Sequence, residues 1–121
     1  CWAHLQNPDG DYETWGDAST AMWNTFKDDF SMTYYPNLTI SWDANPRFPF
    51  KTGYINNSTP EKFEKYLLKA KEYIDSNNIE PKIITINAWN EWSEGSYLEP
   101  DTIWKYGYLD AVKKVFGSPK K

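Results

Sequence analysis

The sequence contains few of the residues that usually build metal sites or disulfide frameworks. Its 121 residues include one cysteine, Cys1, and one histidine, His4. A cysteine zinc site and an internal disulfide framework are therefore excluded, and a histidine-rich metal site is disfavoured. The sequence also has no run of about 18 apolar residues, so it contains no ordinary membrane-spanning helix. We expect neither a metal ion nor an organic cofactor.

Basic residues are also scarce, since 13 Lys and Arg stand against 17 Asp and Glu, for a net charge of −4. This balance argues against nucleic-acid binding, which normally requires a basic face. Aromatic residues are abundant instead, because 7 Trp, 9 Tyr and 6 Phe make up 18% of the chain. An acidic, aromatic-rich composition suits a carbohydrate site, in which rings stack on sugars and carboxylates bind hydroxyls. The same rings could fill a hydrophobic core, and composition alone favours the core.

Apolar spacing predicts three helices. The first covers 11–30, where apolar residues recur every three or four positions: Tyr12, Trp15, Ala18, Met22, Phe26 and Phe30. The second begins at Ser58-Thr59-Pro60-Glu61, which combines a capping hydroxyl with an early proline, and it ends at Asn77-Asn78. The third is predicted from about Ile103 to Phe116.

Two strands are predicted between these helices. The first runs from Tyr35 to Trp42, and a loop over 43–53 follows it. The second begins with Ile83-Ile84-Thr85-Ile86 and continues toward Trp89. Its apolar residues occupy both alternating positions, which predicts a strand buried on both faces, as in a parallel sheet.

The order helix–strand–helix–strand–helix predicts an α/β fold with parallel strands, because strand–helix–strand is a right-handed parallel crossover. A two-stranded parallel sheet cannot cover itself. We therefore expect one structural unit over 1–121 that is part of a larger fold, completed by the rest of that fold or by another chain. A (β/α)₈ TIM barrel takes roughly 250 residues, so this chain corresponds to about its last three units. Such a piece should leave open sheet edges and uncovered apolar faces.

The segment 87–100 carries the strongest indication of chemistry, because it follows a core strand at the end where parallel α/β folds build their sites. Glu91 and Glu94 are three residues apart, a spacing that brings side chains together in a turn, and Gly95 permits such a turn. Two carboxylates that converge beside tryptophans should have one raised pKa, which suits the acid and the base of glycoside cleavage. The alternative is a pair of solvated loop carboxylates.

Further side chains near the predicted strand ends are candidates for substrate binding: Trp42, Asp43, Arg47, Trp89, Asn90, Trp92 and Tyr97. Asp43 and Arg47 either bind sugar hydroxyls or carboxylates as a pair or form a loop salt bridge of low value. The tryptophans either stack on sugar or fill the core. Trp92 is the best stacking candidate, because it stands between the two glutamates.

The run from Ile86 to Asp101, with Asn90-Glu91-Trp92-Ser93-Glu94-Gly95 at its centre, resembles the eighth-strand motif of family 99-like glycoside hydrolase barrels. It is most similar to the bacterial WbsX-type group, whose members are often described as glycosyltransferases or polysaccharide-synthesis proteins. Trp42-Asp43 with Asn45-Pro46-Arg47 resembles the end of the seventh strand in that group. The resemblance extends over roughly 35–116.

The resemblance implies roles for the two glutamates in a retaining reaction on a polysaccharide or oligosaccharide. Glu91 would act as the base toward the sugar 2-hydroxyl and Glu94 as the general acid, through a 1,2-anhydro sugar. Family 99 enzymes usually have histidine where this chain has Ser93, so the chemistry carries over better than the specificity. The alternatives are a sugar-transferring or sugar-binding homologue in surface-polysaccharide assembly, or a catalytically silent structural fragment. The residues given contain no signal-peptide pattern, and the periplasm, cell surface and cytoplasm all stay open.

Overall fold

Three helices dominate the computed structural model, which describes residues 9–48 and 53–117. They are α1 (Tyr12–Asp29), α2 (Pro60–Ser76) and α3 (Gly107–Phe116). None of the helices in these two ranges is long and apolar enough to cross a membrane. Cys1 and His4 lie outside the described residues.

Helix α1 begins where the sequence predicts, because the Asp11 side chain accepts a hydrogen bond from the Glu13 N–H at 2.9 Å. Its buried face differs from the prediction. Tyr12 and Trp15 are buried as expected, and the buried face continues through Gly16 and Trp23. Ala18 and Phe30, which the spacing predicts to be buried, are exposed. Trp23 is drawn inward by α2, where its ring packs edge-on against Tyr73 at 5.5 Å.

Helix α2 agrees closely with its predicted start and end. The Thr59 side chain accepts from the Lys62 N–H at 3.3 Å, and Pro60 occupies the first turn. Its predicted apolar stripe is buried: Phe63, Leu67, Ala70 and Ile74. Tyr66 is buried as well, because its ring fits against α1 and its hydroxyl donates to the Glu13 carbonyl at 2.7 Å.

Helix α3 begins four residues later than predicted. The Asp101 carboxylate accepts from the N–H groups of Ile103, at 2.8 Å, and Trp104, which closes a turn in place of the first helical turn. Lys105 then adopts a positive φ of 52°, a conformation that no right-handed helix can include. The predicted helix over 103–106 is therefore wrong, and Ile103 is 74% exposed.

Six short strands complete the regular structure: β1 (Gly10–Asp11), β2 (Asn37–Thr39), β3 (Ile55–Asn56), β4 (Thr85–Asn87), β5 (Asn90–Glu91) and β6 (Ser96–Tyr97). Strand β2 pairs with β4 in parallel, with Leu38 opposite Ile86, so the predicted parallel pairing across α2 is confirmed. The two strands are shorter than the predicted 35–42 and 83–89. Strands β1 and β3, also parallel, were not predicted.

The core lies where α1 and α2 pack over β2. Tyr12 of α1 contacts both of the other elements. Its hydroxyl donates to the Thr39 carbonyl of β2 at 2.7 Å, and its ring packs edge-on against Tyr66 of α2 at 5.6 Å. Tyr108 of α3 packs against Phe63 of α2 at 5.7 Å between ring centres. This arrangement holds β2, and through it β4, against the helices.

The strand at 83–87 is not buried on both faces, which corrects the sequence-based expectation. Ile83 is 45% exposed, Thr85 is exposed, and Ile86 is half-buried. Within the described ranges, β4 pairs with β2 only, so its other edge has no partner strand. These exposed groups are what a piece of a larger sheet would show, and the barrel itself stays a prediction.

Candidate functional site

Strands β5 and β6 form an antiparallel hairpin directly after β4, with Asn90 opposite Tyr97 and Glu91 opposite Ser96. A single turn of 3₁₀ helix, Trp92–Glu94, closes the hairpin. Gly95 ends this turn in the left-handed region, with φ 59°. The turn is the feature that the spacing of the two glutamates requires if their side chains are to converge.

One guanidinium bridges both glutamates. Arg47 Nη1 donates to Glu94 Oε1 at 2.8 Å, and Arg47 Nη2 donates to Glu91 Oε1 at 3.1 Å. The Ser93 hydroxyl accepts from Arg47 Nη2 at 2.6 Å and donates to Glu91. Since Arg47 follows β2 and the glutamates follow β4, the ends of two neighbouring parallel strands meet at this cluster.

The two carboxylates have different environments. The Glu94 side chain is 5% exposed and that of Glu91 is 37% exposed. Burial raises the pKa of Glu94, the positive charge of Arg47 lowers it, and the negative charge of Glu91 adds a smaller increase, for a net rise. Glu94 Oε2 is buried and has no hydrogen-bond partner among the described residues. Protonation of Glu94 is therefore easier than protonation of a carboxylate in water.

Buried hydroxyl groups, which the sequence analysis missed, hold the hairpin to the strands. Ser96 is fully buried, and its hydroxyl donates to the Asn87 carbonyl at 2.7 Å. The Asn87 amide donates back to Ser96 Oγ at 3.1 Å, and the Thr39 hydroxyl lies 3.1 Å from the same atom. Thr39 inside the first predicted strand and Ser96 directly after Gly95 were the available indication.

The loop after β2 presents Arg47 through a turn built on Asp43. The Asp43 carboxylate accepts from the backbone N–H of Asn45 at 2.9 Å and from its side-chain amide at 2.6 Å. The Asp43 N–H donates to the Glu94 carbonyl at 2.8 Å. Of the ion pairs found within 9–48 and 53–117, none joins Asp43 to Arg47, so the anticipated charge pair is replaced by the contacts of Arg47 with the two glutamates.

The predicted aromatic residues divide into exposed and half-buried groups. Trp92 stacks on Tyr97 at 3.7 Å with the rings 14° apart, and its indole N–H donates to Glu99 at 2.6 Å. Trp92 is 47% exposed and Trp89 is 54% exposed, so both offer ring surface to a ligand. Trp42 is half-buried and packs against the core. Asn90 is exposed on the hairpin beside them.

The described part of the chain contains no group of three or more His, Cys, Asp and Glu side chains that could hold a metal ion. The charged groups of the cluster are instead two carboxylates and one guanidinium. Together with exposed aromatic rings, these are groups that bind and protonate sugars.

Comparisons with known proteins show the family to which this chain belongs. A family model described as Glycosyltransferase WbsX matches residues 5–112. The chain is also 33% identical over 114 residues to proteins named "Uncharacterized protein WxcX" from two strains of Xanthomonas campestris pv. campestris. The match covers 92% of this chain but only 16% of those relatives. No solved structure matches. The resemblance to the WbsX-type group is thereby confirmed, and the chain belongs to the WbsX glycosyltransferase family.

Proposed function

We propose that Glu91 and Glu94 are the catalytic pair of a carbohydrate-active enzyme that cleaves or transfers the glycosidic bonds of a polysaccharide or oligosaccharide. One observation carries the proposal: the Arg47 guanidinium joins a buried and a half-exposed carboxylate on one short turn. Acid–base catalysis on a glycoside requires two carboxyl groups in different protonation states, and unequal environments supply that difference.

Glu94 suits the role of general acid. It is buried, its pKa is raised by that burial, and one of its oxygens has no partner within the described residues. Burial disfavours the ionised form of this carboxylate and outweighs the opposing charge of Arg47, so the pKa of Glu94 lies above its ordinary value. A proton held there is available to the oxygen of the leaving sugar.

Glu91 suits the role of base, because it is half-exposed and accepts hydrogen bonds from Arg47 and Ser93. In the proposed route Glu91 takes the proton of the sugar 2-hydroxyl while O2 attacks C1, and Glu94 gives its proton to the departing glycosidic oxygen. Water or a second sugar hydroxyl then opens the resulting 1,2-anhydro sugar. Glu94 accepts the proton of that nucleophile and Glu91 returns its proton to O2. Two inversions at C1 leave the configuration retained.

The exposed rings beside the pair are proposed to bind the sugar. The stack of Trp92 on Tyr97 forms a rigid platform, and Trp89 offers a second surface nearby. Asp43 and Asn90 supply polar groups at the same end of the strands, and the half-buried Trp42 stays a candidate for the wall of the site.

Transfer rather than hydrolysis is the second candidate function, and the description of the matching family as glycosyltransferase favours it. Both outcomes share the first step and differ in whether water or a sugar hydroxyl opens the intermediate. A panel of oligosaccharides, incubated with the full-length protein, separates them by its products: shorter saccharides for hydrolysis, longer ones for transfer. Binding without turnover would indicate a sugar-binding homologue.

The catalytic roles are tested by comparing Glu94→Gln and Glu91→Gln in the full-length protein, on a glycoside with a poor leaving group and on an activated aryl glycoside. Glu94→Gln should lower turnover of the first substrate by about 10²–10⁴-fold and of the second far less, because an aryl group leaves without a proton. Glu91→Gln should lower both. Glu72→Gln, an exposed change on α2, is the matched control. Small and equal losses on both substrates would refute the assignment.

A further inference from the structure

A cavity of about 220 Å³ adjoins the hairpin that carries the glutamates. It is bounded by Gly95 and Tyr97 of the hairpin, by Ser41 after β2, and by Ser58 before α2. On another side it is lined by Asp101 and Trp104, which precede α3, and by Tyr108 in the first turn of α3. Gly95, which bounds it, directly follows Glu94 in the chain. We call it the hairpin cleft.

The lining of the hairpin cleft selects a neutral ligand that is rich in hydroxyl groups. Three aromatic rings, from Tyr97, Trp104 and Tyr108, stand beside the carboxylate of Asp101 and the amide of Asn57. None of the described residues that line the cleft is a lysine or an arginine. A phosphate or carboxylate ligand would find no counter-charge here, whereas acceptor oxygens beside aromatic rings match the hydroxyls and the apolar face of a sugar.

The walls of the hairpin cleft are held in place by their own hydrogen bonds. The Asp101 carboxylate accepts from the Tyr97 hydroxyl at 3.1 Å and from the Ile103 N–H at 2.8 Å. The Ser58 hydroxyl lies 2.9 Å from the Tyr108 hydroxyl, and the Trp104 ring meets Tyr108 edge-on. A site whose groups are already ordered loses little entropy when it binds a ligand.

We propose that the hairpin cleft is a subsite for one neutral sugar unit of the saccharide whose bond lies at Glu91 and Glu94, an inference that rests on the proposed function. Its volume is below the roughly 300 Å³ at which pockets for drug-sized ligands begin, so it suits one sugar ring. Tyr97 links the two places, because its ring supports Trp92 and also lines the cleft. The cleft thereby sets which sugar stands next to the reacting unit.

The test measures affinity in the full-length protein carrying Glu94→Gln, with methyl α-mannoside, methyl α-glucoside and methyl α-galactoside as probes, by saturation-transfer NMR titration. At least one probe should bind, and Trp104→Ala should weaken that binding about three- to tenfold, the range of an ordinary aromatic contact. Trp104→Phe should restore most of it. Ile103→Ala removes a neighbouring exposed side chain that does not line the cleft, and it should change nothing.

If Trp104→Ala fails to fold, Ser41→Met replaces it, because the methionine side chain fills the hairpin cleft without removing a lining residue. Ser41→Met should also weaken binding of the probe. The subsite is refuted if no probe binds, if neither Trp104→Ala nor Ser41→Met weakens binding, or if glucose 6-phosphate binds as tightly as the neutral probes. Turnover of an oligosaccharide by the unmodified protein is measured in parallel. Turnover without cleft binding refutes the subsite alone, and cleft binding without turnover refutes the proposed catalysis alone.

Discussion

Arg47 and Glu94 stand 47 positions apart in the chain, and a 2.8 Å ion pair joins them beyond the ends of two parallel strands. The same guanidinium reaches Glu91, so one positive charge serves two negative ones. The charge of Arg47 lowers the pKa of Glu94 and so opposes the effect of burial on that carboxylate. The loop after β2 thus supplies the positive charge that faces both carboxylates of the hairpin after β4.

Replacing Arg47 should move the pH dependence of activity in a defined direction. Arg47→Gln removes the charge that lowers the pKa of Glu94, so this pKa should rise further. If Glu94 is the general acid, activity falls as pH rises through its pKa, and the alkaline limb of the pH–rate profile should therefore shift to higher pH. Lys113→Gln, the same loss of charge at an exposed position of α3, should leave the limb in place. A shift to lower pH would contradict the proposed role of Glu94.

Removing the buried Ser96 hydroxyl should destabilise the protein. Ser96→Ala leaves the side chains of Thr39 and Asn87 short of a partner in a fully buried place, so the free energy of unfolding should fall by about 1–3 kcal/mol. Urea unfolding measures the change. Thr102→Ala, at an exposed hydroxyl, should stay within about 0.5 kcal/mol of the unmodified protein. A change of similar size in both variants would mean that the hydroxyl network adds nothing to the free energy of unfolding.

Gly16→Ala tests the contact between α1 and α2. A Cβ atom at this position would come within 2.8 Å of three ring carbons of Tyr66. We expect a loss of about 1–3 kcal/mol from overpacking, although alanine is the better helix former by roughly 1 kcal/mol. Thr14→Ala, on the exposed face of the same helix, isolates the propensity effect and should be neutral or slightly stabilising. Thermal unfolding that shows Gly16→Ala to be stabilising would contradict the close packing.

Asp75 should contribute to stability in a way that depends on pH and on salt. Hydrogen bonds from Lys71, at 2.8 Å, and Lys82, at 2.6 Å, lower its pKa to about 2 from an ordinary value of 3.8. A lowered pKa stabilises the fold above the unfolded value, and this stabilisation is lost as pH falls toward 2. Asp75→Asn should therefore be less stable than the unmodified protein at neutral pH, and the difference should disappear as pH falls through about 2. The difference at neutral pH should also shrink in 1 M salt.

The helices show how far amphipathic spacing and capping residues predict this fold. The residues that predict helix α2 all lie within it or next to it, namely Thr59, Pro60 and a regular apolar stripe. Its predicted bounds therefore agree with the structure. The start of α3 could not be predicted in this way, because it depends on the side chain of Asp101 capturing two N–H groups in a turn. Apolar residues such as Ile103 then continue a helical pattern without belonging to the helix.

The sequence predicts where the candidate site lies in the chain, but not which side chain contacts the two glutamates. The two glutamates follow a strand and flank a turn that Gly95 permits, and both features can be read from neighbouring residues. The partner of these carboxylates could not be read in this way, because Arg47 approaches from another loop. In the sequence, Asp43 is a nearer acidic partner for Arg47 than either glutamate. Asp43 is instead occupied with Asn45. The burial of Ile83 was overestimated because an apolar pattern does not say which neighbour supplies the cover.

The hydrogen bond from the Asp43 N–H to the Glu94 carbonyl uses main-chain atoms only. It therefore persists whatever side chain occupies either position, with proline at 43 as the exception, since proline has no N–H. Gly95 lies against the same residue, because a Cβ there would be 3.3 Å from that of Asp43. Mutation can thus exchange the carboxylate side chains at this turn while its backbone stays anchored. Such a separation of scaffold from chemistry is a route by which descendants of one ancestral enzyme can acquire different reactions without first losing their shape.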